Sequence, residues 1–284
     1  MSSPKVWFIT GTSSGFGRAL AEYVLAKGDI VVATARRPAA LDDLKAQYPS
    51  DRLLVIKLNV DNPQEVVDAF AQVKSKIGRL DVVFNNAAYG TFGELETVRD
   101  EDVRAEFDTN FWGAFYVSRE AVKFFREVNA PGVGGRLLQV SSMTGVAGAP
   151  GLGFYAASKF ALEGLSECLA SELDPAWNIK VTLVQPGSYR TPGFGKVIWS
   201  PPHPAYSNPD LPATKLRAIW NSVNSSGDPA KAAKAFYEIG NMANPPLHVP
   251  VGKDSSAVIR KKLADLTAEV DKYEYLSQDL EFDQ

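Results

Sequence analysis

Short, largely apolar runs alternate with longer stretches of mixed polarity along most of this chain. Residues 6–10, 30–35, 53–58, 82–84, 137–140 and 181–184 are apolar at consecutive positions rather than at every second one, and 247–251 adds a last, weaker run. A strand with one wet face alternates, whereas a strand buried on both faces reads as a continuous apolar run. Helical periodicity fills the intervals at about 18–27, 39–47, 63–77, 100–128 and 154–174. Alternating strands and helices of this kind predict an α/β fold, a parallel sheet covered on both faces.

The texture changes after residue 185. Seven prolines from Pro186 to Pro212 break up a stretch that also carries Tyr189, Phe194, Trp199, Tyr206 and Trp220. Prolines deny it regular structure, and so many rings are not left to solvent, so about 187–226 reads as loop and short helices, either a lid over an apolar ligand or a packed extension. Residues 228–241 return to a helical pattern. The tail, about 254–284, shows Ile259, Leu263, Leu266, Val270 and Tyr273 at spacings of four and three. A seam of only two heptads favours docking against its own domain over a coiled-coil partner.

At 284 residues with 45% hydrophobic content, one large core and a single domain spanning 1–284 are the expectation. No apolar segment is long enough to cross a bilayer, so no membrane association is predicted. A net charge of −3 without a basic stripe argues against nucleic acid. Cys168 is the one cysteine, which excludes an intrachain disulfide and predicts a buried, inert thiol. His203 and His248 lack a nearby Cys or His in sequence, so no metal is expected. The chain starts without an apolar signal core, which makes a cytoplasmic location the default.

Gly11, Gly15 and Gly17 follow the first strand in the pattern TGxxxGxG. Glycines let backbone approach a pyrophosphate, and the helix that follows offers free N–H groups to the anion. By itself the turn could be a tight strand-to-helix connection. The end of the second strand selects a cofactor. A ribose 2′-hydroxyl calls for Asp or Glu there, but the chain has Ala35 followed by Arg36 and Arg37, which suits the 2′-phosphate of NADP(H). Arg36 is the better ligand, with Arg37 as a second one or a solvated charge.

Tyr155 and Lys159 lie four apart in a helical stretch and so share a face. An ammonium beside a phenol favours phenolate, which predicts a Tyr155 pKa pulled below its usual value of about 10. Together with TGTSSGFG at 10–17, NNAAYG at 85–90, Asn110 in TNFWG, VSS at 140–142 and PGSYRT at 186–191, the chain resembles the short-chain dehydrogenase/reductase superfamily in its shorter branch, over about residues 5–191. The spacing of Ser142 to Tyr155 matches the family pattern, which singles out Ser142 over Ser141.

The resemblance implies a Rossmann-type doubly wound sheet of about seven strands. It implies an oxidoreductase acting on a small carbonyl or alcohol substrate, in the mould of an NADPH-dependent carbonyl reductase. Tyr155 would be the general acid, Ser142 would hydrogen-bond the substrate oxygen, and Lys159 would tune Tyr155 and bind the nicotinamide ribose. Asn110 would hold a water linking Lys159 to solvent. Gly11, Ser13, Ser14, Gly15, Phe16 and Gly17 would line the diphosphate, Asn86 and Ala87 the adenosine side, and Pro186, Gly187 and Thr191 the nicotinamide. Asn59-Val60 stands where the family has Asp-Val at the adenine, and Ala88 replaces a glycine. Tyr189, with Phe194, Trp199 and Tyr206, would shape a pocket for a bulky or aromatic ketone. Homodimers or homotetramers through the long helices at 100–128 and 154–174 are implied as well. The competing reading is a non-catalytic NADP-binding regulator or scaffold, against which the intact Ser142, Tyr155 and Lys159 count.

Overall fold

In the computed structural model, which describes residues 3–191, 197–220 and 227–282, the apolar runs become strands. The elements run β1 (Val6–Ile9), α1 (Gly15–Ala26), β2 (Ile30–Ala35), α2 (Asp42–Lys45), β3 (Leu53–Lys57), α3 (Pro63–Lys76), β4 (Val82–Asn85) and β5 (Thr91–Phe92). There follow α4 (Asp100–Phe107), α5 (Ala114–Glu127), β6 (Gly135–Val140), α6 (Gly153–Glu172), β7 (Ile179–Pro186), β8 (Ile198–Trp199), α7 (Pro212–Ile219), α8 (Pro229–Asn241), β9 (His248–Val251) and α9 (Lys253–Tyr273). Seven strands form one parallel sheet in the order β3-β2-β1-β4-β6-β7-β9, a Rossmann-type arrangement.

The continuous apolar runs follow from two cores. Trp7 and Ile9 point to one face, with Leu20 of α1 and Phe236 of α8. Phe8 and Val83 point to the other, with Phe70 of α3 and Phe125 of α5. Both sides of β1 and β4 are therefore dry, and no position is left for a polar alternation. Strand order reverses between β1 and β4, and such a switch point opens a crevice beyond the carboxyl ends of the strands.

Several sequence expectations change. The 39–47 helix is a 3₁₀ turn, Pro38–Leu41, followed by the four-residue α2. The long helix at 100–128 is broken by a π-helical segment, Asp108–Gly113, between α4 and α5. Proline does not uniformly break structure: Pro63, Pro212 and Pro229 stand at the first turns of α3, α7 and α8, where the missing N–H costs nothing. Cys168 is exposed rather than buried, because it lies about 200° around α6 from the buried Ser166. The tail does not dock on its own domain: α9 is anchored at its start, and every residue from Leu263 to Phe282 is exposed.

In the 187–226 stretch, β8 pairs in parallel with β5. Trp199 and Trp220 pack on Phe92, with ring centroids 4.7 and 5.1 Å away. Arg217 of α7 pins this cluster. It pairs with the buried Glu94 at 2.8 Å, donates to the Ser200 carbonyl at 2.7 Å and lies 5.1 Å from the Phe92 ring centre. None of the helices is long and apolar enough to cross a membrane among the described residues.

Candidate active site

The glycine turn sits at the carboxyl end of β1. Gly11 and Gly15 adopt φ of +71° and +61°, the left-handed region that side chains avoid. A Cβ at Gly17 would stand 2.5 Å from the Gly11 carbonyl oxygen, so the first turn of α1 closes on the loop only because Gly17 has no side chain. Ser14 occupies the N-cap position of α1, Ser13 is exposed, and no acid lies in the first turn, so no carboxylate of α1 itself competes for the positive helix end. Phe16 packs edge-on against Tyr189 and Phe236, at 5.0 and 5.2 Å.

Thr10 and Asn86 brace this turn. The Asn86 side chain donates to the Thr10 carbonyl, and the Asn86 and Ala87 amides donate to Thr10 Oγ1, at 2.8, 2.8 and 2.9 Å. Asn86 thus acts on the loop from beneath; Thr10 had no signal in the sequence beyond its place in the motif. Thr191 stands opposite Gly15, where its Cβ lies 3.6 Å from a Cβ built on the glycine, so the loop after β7 and the glycine turn face each other.

Arg36 and Arg37 follow the buried Ala35 and are exposed, their guanidinium groups with no hydrogen bond or ion pair to the described residues. Asn59 donates its amide to Glu65 at 2.8 Å. Val60 is buried against Gly113, where a Cβ would come within 2.7 Å, so it serves the packing of the π-helical segment.

Ser142, Tyr155, Lys159 and Asn110 converge. Ser142 Oγ accepts from the Thr144 amide at 3.1 Å and from the Thr144 hydroxyl at 2.9 Å. A hydroxyl has two lone pairs and one proton, so with Thr144 on its acceptor sites the Ser142 proton is left to give, and Ser142 acts to lower the Tyr155 pKa. The half-buried Tyr155 ring lies against Gly90, where a Cβ would meet it at 3.3 Å. Lys159 is buried; its Nζ donates to the Val140 carbonyl at 2.8 Å and stands 5.7 Å from the Tyr155 ring centre. Asn110 Nδ2 donates to the Tyr89 carbonyl at 2.8 Å and to Ser158 Oγ at 3.0 Å, and Oδ1 accepts from the Tyr89 amide at 3.1 Å. Its carboxamide ties the π-helical segment to α6.

The expected lowering of the phenol by Lys159 is not found. Burial pushes Tyr155 up to about 12, against the Ser142 hydrogen bond. Burial likewise brings Lys159 down to about 8. A desolvated ammonium turned onto a carbonyl does not offset the cost of a buried phenolate.

A residue the sequence reading missed lies one turn before Asn110. Glu106 is fully buried, and its Oε2 accepts from the Thr91 hydroxyl and amide at 2.7 and 3.3 Å, while Oε1 has no hydrogen-bond partner among the described residues. Burial pushes this carboxyl up to about 7. Its charge raises both Tyr155 and Lys159. The exposed-looking run Asp100-Glu101-Asp102 hid it, since an acid at the end of an acidic helix reads as solvated.

Just past β7, a Cβ on Gly187 would clash with Asp254 Oδ1, and Asp254 Oδ2 accepts from the Ser188 amide at 2.6 Å. The start of α9 thereby holds the loop that follows Pro186. Tyr189 packs toward Phe16 and the α8 core. Trp199 is 40% exposed, Tyr206 stands against His203 with ring centres 6.0 Å apart, and Phe194 lies outside the described residues.

His248 lies between two carboxylates of α6, with Nδ1 3.3 Å from Glu163 and Nε2 3.6 Å from Glu167. Gln185 Nε2 donates to both Glu163 oxygens, at 3.1 and 3.0 Å. Although these three could be brought around an ion, each ring nitrogen faces a different carboxylate, and the group pins α6 to β9. Two surface hollows of about 290 and 350 Å³ lie elsewhere, around Lys5 and Arg136 and around Arg104 and Trp112. The site is marked by its chemistry, not by its size.

A parallel switch-point sheet, a glycine turn at the crevice and a Ser–Tyr–Lys group beside it define a dinucleotide-binding oxidoreductase fold. The model of the short chain dehydrogenase family matches residues 5–198. An uncharacterized oxidoreductase of Schizosaccharomyces pombe is 40% identical over 95% of this chain and 89% of its own. A 3-ketodihydrosphingosine reductase of Bacteroides thetaiotaomicron is 36% identical over 88% of each. The crystal structure of a short-chain dehydrogenase from Streptomyces avermitilis superposes with a TM-score of 0.88 at 38% identity, covering 99% of this chain and 100% of that one. The chain belongs to the short-chain dehydrogenase family and is an oxidoreductase of that family.

Proposed function

We propose that the protein is an NADPH-dependent carbonyl reductase that turns a ketone or aldehyde into an alcohol. The observation that carries this reading is the convergence of Ser142, Tyr155 and the buried Lys159, with the Ser142 acceptor sites filled by Thr144 so that its proton is left for a bound carbonyl oxygen. The crevice suits a dinucleotide phosphate. The glycine turn is free of side chains where Gly17 meets Gly11, and two unpaired guanidinium groups end β2 with no acid at Ala35. Arg36 and Arg37 would hold the 2′-phosphate and the turn at 11–17 the diphosphate. Thr191 faces that turn from the nicotinamide side.

Bound NADPH would supply the hydride. The chain's own groups do the rest. Ser142 donates its proton in a hydrogen bond to the carbonyl oxygen and orients it. Tyr155, kept neutral by burial, releases its phenolic proton to that oxygen as the alcohol forms. The phenolate left behind gains the nearby Lys159 ammonium as counter-charge, and the same ammonium would bind the nicotinamide ribose. Asn110 keeps the π-helical segment against α6, and a water beside it would return the proton from solvent.

The aromatic stretch supports a bulky apolar ketone as substrate, and the relative named as a 3-ketodihydrosphingosine reductase supports ketone reduction. Homodimers or homotetramers through α4, α5 and α6 belong to the same reading.

The test is NADPH consumption, read by absorbance, over a panel of aryl, alicyclic, long-chain and small polar ketones. Tyr155→Phe is expected to abolish turnover while sparing NADPH binding, and Arg36→Asp to shift preference toward NADH. Turnover that survives Tyr155→Phe overturns the mechanism, and unchanged NADPH affinity in Arg36→Asp overturns the cofactor assignment. NADPH binding without turnover on any ketone favours the regulator reading.

A further inference from the structure

Eight of the seventeen large hydrophobic side chains exposed among the described residues fall in the last stretch: Leu263, Leu266, Val270, Tyr273, Tyr275, Leu276, Leu280 and Phe282. That concentration exceeds the scatter of single apolar residues any surface carries. The helix that bears the first four is 21 residues long, about 31 Å. Only its start is tied down, by Asp254 to the Ser188 amide and by Ser255 Oγ to the Gln185 carbonyl at 2.7 Å. Beyond Lys262 it runs in solvent. A free helix of this length is marginal in water, and its stability ordinarily comes from packing an apolar face.

The charges on α9 identify the partner. Arg260, Lys261 and Lys262 lie just before its midpoint and Asp265, Glu269 and Asp271 beyond it, with Asp254 in the first turn, Lys272 in the last and Glu274 just past the end. Lys261 is paired with Asp265 at 2.7 Å. Arg260, Lys262, Glu269 and Glu274 make no ion pair or hydrogen bond with the described residues. These four flank the seam of Ile259, Leu263, Leu266, Val270 and Tyr273. Lys262 and Glu269 each precede a seam residue on one flank, and Arg260 and Glu274 each follow one on the other.

We propose that α9 pairs antiparallel with α9 of a second copy of this chain, burying the seam across a two-fold axis near Leu266. An antiparallel pair sets equivalent flanks against each other end to end, so Lys262 meets Glu269 of the second copy and Arg260 meets its Glu274. A parallel pair would put like charge beside like. A membrane surface fits less well, because the stretch from Leu263 to Phe282 carries six acids and only Lys272 as a base, which anionic headgroups repel. This contact is separate from the α4–α6 faces, so the two together would build a larger assembly than either alone.

The test uses the full chain. Particle mass is measured by light scattering after size exclusion for three variants: R260E/K262E, E269K/E274K, and all four substitutions in one chain. Each double variant is expected to halve the assembly mass. Mixing the two double variants, or combining the four substitutions, is expected to restore it. Wild-type mass in both double variants overturns the proposal, as does a loss of mass that neither mixing nor combination rescues. A second measurement does not depend on disruption. In a Cys168→Ser background, Leu266→Cys is expected to form a disulfide-linked dimer on mild oxidation, whereas Ile259→Cys and Tyr273→Cys crosslink only when mixed. Self-crosslinking at all three positions indicates a parallel pair, and crosslinking at none excludes the contact. Flotation of the wild type with phosphatidylcholine vesicles, without self-crosslinking at 266, would overturn it in favour of a lipid surface.

Discussion

Thr144 places both its amide and its hydroxyl on Ser142 Oγ, at 3.1 and 2.9 Å, and so decides where the Ser142 proton points. Thr144→Val removes one of these donors while nearly conserving volume, and frees the serine hydroxyl to turn. We expect kcat for ketone reduction to fall about five- to tenfold, near 1 kcal/mol, with NADPH affinity unchanged. Steady-state kinetics beside NADPH titration checks this, and an unaltered kcat would remove Thr144 from the mechanism.

Glu106→Gln should change the pH dependence of both activity and stability. The Glu106 carboxylate raises Tyr155, so its removal lets the phenol ionise at lower pH and moves the alkaline fall of ketone reduction toward neutrality. The carboxyl itself goes from 4.5 to about 7 on burial. A carboxyl raised in the folded state stabilises fully below its unfolded pKa and loses that contribution as pH climbs through the folded value. Between roughly pH 4.5 and 7 the variant should therefore gain on the wild type, by about 3 kcal/mol at most. Parallel melting and rate profiles would show both effects, and parallel curves for the two proteins would contradict the assignment.

Gly17→Ala inserts a Cβ 2.5 Å from the Gly11 carbonyl, backbone against backbone, with no side chain to swing away. The expected cost is about 1–3 kcal/mol of stability, with NADPH affinity weakened about tenfold or more as the turn opens. Calorimetric titration of NADPH decides it; wild-type affinity would mean that the turn is not the diphosphate cradle.

Arg217→Met strips the counter-charge from Glu94, whose side chain is 3% exposed, and releases the Ser200 carbonyl. An uncompensated buried carboxylate costs about 3–5 kcal/mol, and Glu94→Gln should cost less because the Arg217 guanidinium it leaves without a counter-charge is 17% exposed and keeps the Ser200 carbonyl. If β8 and α7 cover the substrate, KM for bulky ketones rises in both variants while NADPH affinity holds. Equal KM values would confine the ion pair to stability.

The strands and the chemical motif were legible because each depends on neighbours in sequence. Trp7 to Ile9 had to be buried on both faces, and the spacings of Gly11, Gly15 and Gly17 and of Tyr155 and Lys159 are local geometry. Ser142 came from its register to Tyr155. The environment of these groups was not legible. Lys159 was expected to act on the phenol, yet burial dominates both residues, and burial is a property of everything packed around them. Glu106 looked like one more acid of α4 until α6 and β5 closed over it. The seam of α9 was plain in the sequence, but periodicity records only that a face is apolar. Whether Leu263, Leu266 and Val270 are covered depends on the direction in which the chain leaves Asp254, and only the tertiary structure sends that helix away from its own core. Sequence set which residues are the candidates for the chemistry and on which side of each element they stand. Tertiary structure set their dielectric surroundings and their partners, because both are sums over residues far apart in the chain.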